Sequence, residues 1–393
     1  MQLKHNILKM YLLKAVLWFM VAMPIIVLFF QEHGLSLTQV MILQAIYSFC
    51  VALFEIPSGY IADLFGRKKT IVISTIFAFT GYLVFSFYGG FYTFIIAQIL
   101  VGISGSLMSG SDSALLYDTL IEIGDKRTYT KIEGRNYAIG NFSEATAGIL
   151  GGFLAVSSIY LPMYVQTGIL FLSIPIALTL VEPTIYENNK MDRSFKTIME
   201  VVNFTIIDQV RLRWLIIYSS AMGVATLSMA WLAQPFFKTI GIPLAYFGIL
   251  WAGLNFSAGI TSFNAHRLDK DNYKILIYIA LLMLISFILL GSNITMFGLF
   301  FVVLIYLIRG IITPILRNEI NKNTTSNKRA TVLSIRSFII RISFAISAPI
   351  LGYIADHYSI SYSFYAIALI VGFFSILAAI RLFNLNTSTS FKS

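Results

Sequence analysis

The stretch GYIADLFGRKKTI, residues 59–71, ends a long apolar run with a glycine turn and three consecutive basic residues. Gly59 lets neighbouring helices approach, and Gly66 supplies a tight turn. Asp63 is a carboxylate at the edge of an apolar segment and needs a partner, and Arg67 is near enough in sequence to be one. On either side the chain is apolar for about 20 residues, the length that crosses roughly 30 Å of hydrocarbon. The stretch therefore predicts a hairpin of two membrane-spanning helices, turned at a basic loop.

Working outward, the same pattern recurs along the whole chain. Hydrophobic residues make up 58% of 393 and charged ones 12%, with a mean hydropathy of +0.80. A soluble domain carries roughly a quarter charged residues. The hydropathy predicts an all-α integral membrane protein with twelve spans, near 8–30, 38–60, 71–88, 92–119, 137–156, 162–181, 213–236, 243–263, 275–291, 296–318, 332–355 and 361–382. The first span has no small-residue cleavage site before a polar sequence, so it is expected to be a retained helix and not a signal peptide. The single cysteine, Cys50, falls inside a span and excludes an intrachain disulfide or a cysteine-based metal site.

The net charge of +10 raises the possibility of a nucleic-acid partner, but the positions of the basic residues argue against it. Lys4, Lys9 and Lys14 flank the first span; Arg67, Lys68 and Lys69 follow the second; Lys126, Arg127, Lys131 and Arg135 follow the fourth. The remaining even-numbered connections are equally basic, whereas the odd-numbered ones together carry only Lys238. By the positive-inside rule both termini and the 59–71 loop are expected in the cytoplasm, in a cell membrane.

The longest polar connection halves the chain near residue 190. It predicts a six-helix bundle over 1–185, a cytoplasmic linker over 186–212 and a second six-helix bundle over 213–393. Within the linker, Phe195, Ile198, Met199, Val202, Ile206 and Val210 fall near helical spacing, as in an amphipathic surface helix. A shift of 201 residues lays RNYAIGNFSEATAGILGGFLA (135–155) over RSFIIRISFAISAPILGYIAD (336–356), pairing Arg135 with Arg336 and ILG with ILG. This predicts a duplicated unit with a cavity at the repeat interface. The string GYIAD itself recurs at 352–356 without a basic tail. Its span runs the other way, so this copy is read as a chance echo whose small residues permit close helix packing.

GYIADLFGRKKTI resembles the signature loop between helices two and three of the major facilitator superfamily. Gly59, Ala62, Asp63, Gly66, Arg67, Lys68 and Ile71 fit its pattern, while Ile61 and Leu64 depart from it. With twelve spans and a long central loop, the resemblance covers essentially the whole chain. It implies a transporter of two six-helix bundles and not an enzyme. It also implies that Gly59, Asp63, Gly66 and Arg67, with Asp118 at the end of span four, form a latch on the cytoplasmic side. Lys68 and Lys69 also have a plainer reading, as positive-inside charge. Ala147–Gly152 in span five keeps the final glycines of a segment common in efflux members and lacks its proline, and small residues for helix packing account for it equally. Gln98 stands where proton-coupled exporters commonly place an arginine, so any coupling uses other residues.

Ionisable groups inside a membrane are costly and mark function or a partner. Glu55, Asp112 and Glu144 in the first half, and Arg309 and Arg341 in the second, qualify. Under the 201-residue shift Asp112 falls one helical turn from Arg309, and Glu144 one turn from Arg341, with acids in one half and bases in the other. Asp112, Glu144 and Glu55 are the proton-coupling candidates, with Glu55 alternatively a structural partner of the signature loop. Asp112, Arg309, Arg341, Gln234 and Asn255 are the substrate-cavity candidates, although the polar amides could equally join helices. No nucleotide loop, metal cluster or nucleophile–base set is present in the sequence, so neither cofactor nor metal is expected.

The leading reading is a secondary transporter working by alternating access, coupled to protons and exporting small amphipathic compounds; a single chain is expected to suffice. The alternatives are an importer or facilitator of a polar nutrient or organic anion, with Arg309 clamping the anionic group, and a membrane receptor or assembly factor that transports nothing.

Overall fold

A computed structural model describes residues 3–184, 202–265, 273–325 and 328–390. Among them there is no strand. The helices are α1 (Lys4–Trp18), α2 (Ile26–Glu32), α3 (Leu37–Phe65), α4 (Arg67–Phe87), α5 (Phe91–Glu122), α6 (Tyr129–Ser157), α7 (Leu161–Leu178), α8 (Val210–Thr239), α9 (Phe247–Asn264), α10 (Lys274–Ser292), α11 (Gly298–Lys322), α12 (Arg329–His357), α13 (Ile360–Ile370) and α14 (Ile376–Ser390). α13 and α14 are joined through the π-helical turn Val371–Ser375. Large apolar side chains stand exposed along them, among them Leu369, Phe300 and Phe171, as helices solvated by lipid require. The chain is a multi-pass membrane protein.

Eleven helices among the described residues are long and apolar enough to span a membrane. The expected first span differs, because it is split into α1 and α2 by an irregular segment around Pro24, which has no N–H to give an α-helix. Irregular backbone is tolerated at membrane depth only where protein surrounds it. Gln166 of α7 accepts from the Ala22 N–H at 3.5 Å, and Gly151 of α6 leaves room for the Val21 carbonyl, which any side chain there would overlap. The glycines of span five thus serve close packing: a Cβ on Gly152 would lie 2.8 Å from the Gly248 backbone nitrogen of α9.

The chain forms two compact units. Met1–Leu35, Ile46–Asp192 and Pro243–Ala252 make the first, and Ser36–Ala45, Arg193–Ile242 and Gly253–Ser393 the second. In the first, α4 and α5 pack through Ser74 and Ser104, each hydroxyl bonding the other's carbonyl at 2.8 to 2.9 Å. In the second, the buried Tyr218 hydroxyl of α8 donates to the Leu276 carbonyl at 2.8 Å, and Gly223 admits Ile340 of α12. Most of the expected amphipathic linker helix, residues 185–201, lies outside the described residues; 202–208 are helical.

Two pairs related by the 201-residue shift do similar work in the two units. Asp118 and Glu319 both bind the residue that begins, or directly precedes, the helix before their own: Asp118 holds Arg67, and Glu319 accepts from the Tyr273 hydroxyl at 2.7 Å. Gly151 and Gly352 both let a foreign backbone touch their helix.

Candidate functional site

The turn after α3 is built as the signature stretch suggests, with one addition. Gly66 has φ +97°, a conformation that side chains disfavour, and it separates α3 from α4. The first N–H groups of α4 have no intrahelical acceptor. Glu182, just beyond α7, supplies one: its carboxylate oxygens accept from the Arg67 N–H at 2.8 Å and the Lys68 N–H at 2.7 Å. A Cβ at Gly66 would stand 2.9 Å from Glu182 Oε2, so the glycine is required twice over. The Arg67 side chain turns to Asp118 of α5, Nε to Oδ2 at 2.5 Å. The side chains of Gly59's neighbour Tyr60 and of Asp63 lie outside the described residues. Glu182 escaped the sequence reading, although an acid directly after a span on a basic face was a usable signal.

Asp112 has an opposite charge in its own half of the sequence. Lys14 of α1 meets it, Nζ to Oδ2 at 3.4 Å, with both side chains largely buried, at 16% and 14% exposure. This corrects the placement of Lys14 among flanking loop residues, and it gives Asp112 a partner other than Arg309. The ammonium also lies 4.6 Å from the centre of the Trp18 ring, whose edge meets the exposed ring of Tyr137 of α6 at 6.2 Å. Trp18 fits there because Gly140, one turn along α6, has no side chain: a Cβ would lie 3.0 Å from the indole. Ser113 extends the network, donating to Glu133 at 3.0 Å. The pair stands in the last turns of α1, next to the break in the first span. Glu144, further along α6, and Glu55 of α3 are half-buried.

In the second unit Arg309 of α11 lies over the buried Tyr306 ring, 5.5 Å from its centre. Neither Arg309 nor Arg341 forms an ion pair among the described residues. Arg341 of α12 and Asn255 of α9 are half-buried, and Gln234 of α8 is buried.

The second copy of GYIAD, at the end of α12, is more than an echo. Asp356 accepts from the Leu37 N–H at 3.0 Å, the Thr38 N–H at 2.7 Å and the Thr38 hydroxyl at 2.5 Å, capping the first turn of α3. Gly352 makes this approach possible, since a Cβ there would lie 2.8 Å from Thr38 Cα.

A family model described as Major Facilitator Superfamily matches residues 10–316. The chain belongs to the Major Facilitator Superfamily. It is a transporter, not an enzyme. Among its relatives in the superfamily, an uncharacterized MFS-type transporter, YxaM of Bacillus subtilis, is 25% identical over 357 residues, 88% of each chain. Solved structures share the fold at low identity. The nucleoside transporter NupG, in a substituted form, matches with a TM-score of 0.78 at 13% identity, covering 97% of this chain and 98% of its own. A bacterial homologue of the human lysosomal transporter Spinster matches at 0.77 and 14%, covering 97% and 98%. A D-xylose–proton symporter matches at 0.70 and 14%, covering 96% of each.

Proposed function

We propose that this chain is a secondary active transporter that works by alternating access, exchanging protons for small amphipathic compounds and exporting them across the cell membrane. The bundles 1–185 and 213–393 are its two moving parts, joined by the linker 186–212, and the one-sided distribution of Lys and Arg supports cytoplasmic termini. The observation that carries the coupling is the Lys14–Asp112 pair. In this mostly buried site the ion pair ties Lys14 of α1 to Asp112 of α5, and loss of either charge dissolves it. A protonation event at this place therefore frees Lys14 on α1 from α5, which is a change in helix packing. The adjoining faces of Trp18 and Tyr137 supply apolar surface for an amphipathic solute.

The test is transport in proteoliposomes with and without an imposed pH gradient, using a panel of cationic dyes, organic anions and sugars. Asp112→Asn should abolish gradient-driven accumulation and leave downhill exchange measurable, because the neutral side chain cannot carry the proton. Full gradient-driven transport by Asp112→Asn and by Glu144→Gln would overturn the coupling. A second reading, import of a polar nutrient or organic anion, draws support from Arg309, which carries a fixed charge without an acidic partner among the described residues. On that reading Arg309→Gln weakens binding most for anionic members of the panel.

A further inference from the structure

We propose that Asp356 is a second conformational latch, at the end of α3 opposite the signature loop, closing when its carboxylate caps the α3 N-terminus and opening once in each transport cycle. This rests on the alternating-access reading. α3 has 29 residues, so its two ends are about 43 Å apart, on opposite faces of a bilayer. One end carries the signature loop and the other receives Asp356, from a helix whose own last turns spell the same five residues.

The construction of the contact separates a latch from a permanent tie. α3 does not need Asp356 to begin. Ser36 and Gln39 already form a reciprocal cap, with the Ser36 N–H donating to Gln39 Oε1 at 3.0 Å and the Gln39 N–H to Ser36 Oγ at 3.2 Å. Asp356 adds acceptors for the two N–H groups this cap leaves over, and it reaches them from more than 300 residues away. Its carboxylate is exposed. When the helices part, water replaces the protein on both sides, so rupture costs about one helix cap instead of a buried charge. The packing beneath is equally separable: Gly352 offers no side chain to interlock with Leu37, Thr38 or Met41. The residue that the 201-residue shift sets opposite Asp356 is Ala155, so the equivalent helix of the other half has no such acid.

Met41 is fully buried, and its Cβ lies 3.1 Å from where a Gly352 Cβ would stand. In a Cys50→Ser background, Met41→Cys therefore reports opening of this end to a membrane-impermeant maleimide added outside. Asp356→Asn should raise its labelling rate about tenfold, the size of a lost charged cap. Thr38→Val, which removes one donor and keeps the shape, should raise it about threefold and covers the case in which Asp356→Asn does not fold. A wild-type labelling rate in whichever of the two elutes as folded protein would overturn the latch. Faster labelling in a protein that accumulates no solute under any gradient leaves Asp356 as a separable closure and removes the proton-driven reading that sets it in a cycle; unchanged labelling in a protein that accumulates solute overturns the latch and leaves that reading standing.

Discussion

Replacing Lys14 by Met and Asp112 by Asn, singly and together, measures what the ion pair contributes. At 3.4 Å two unit charges attract by about 5 kcal/mol at an effective dielectric constant of about 20. Desolvation of both groups offsets much of this, so the pair as a whole adds little to stability, whereas removing one partner strands a buried charge at a cost of about 3 kcal/mol or more. Lys14→Met keeps an apolar stem of similar shape and loses the ammonium, and with it both the charge and the cation–π contact with Trp18. Each single variant should therefore lose about 3 kcal/mol, and the double variant, with no stranded charge, should recover to within about 1–2 kcal/mol of the parent. Cys50 gives the assay: it is the sole cysteine and is buried, so a thiol-reactive fluorophore reports unfolding of purified protein without further engineering. The stability order should be parent, double, then either single, with a coupling energy of about 4–5 kcal/mol. Additive losses, with the double variant the least stable of the four, would refute the reasoning and return Lys14 to a topological role.

Two further outcomes follow from the same geometry. Glu182→Gln removes the charge that caps α4, a loss of about 1–2 kcal/mol, so amide exchange at Arg67 and Lys68 should quicken about tenfold while the amides of α3's first turn keep their rates; equal rates in both proteins would show that Glu182 is no cap. Cysteines at Lys68 and Ser292, introduced separately into a Cys50-free protein, should be labelled from opposite sides of intact cells, with Ser292→Cys reached from outside; outside labelling of Lys68→Cys with Ser292→Cys protected would invert the topology.

Much of this protein was determined by sequence alone, because much of it depends on quantities that add up locally. Whether about 20 residues cross a bilayer is settled by their own composition. The turn at Gly66 and its basic tail are likewise local, and the neighbouring Arg67 side chain had an acid assigned to it by family pattern. Tertiary structure decided the rest. Lys14 is 98 residues from Asp112, Glu182 is 115 from Arg67, and Asp356 is 318 from Thr38. A charge in an apolar chain must find a partner, but the sequence states only the need; which group answers it is chosen by the helix packed alongside. The split in the first span is of the same kind, since Pro24 weakens the helix there while Gln166 and Gly151, on two other helices, help make the irregular backbone tolerable. The repeated GYIAD shows the limit most directly. Two identical strings lie at the ends of two helices, and only their neighbours show that the second one holds the start of the helix that carries the first.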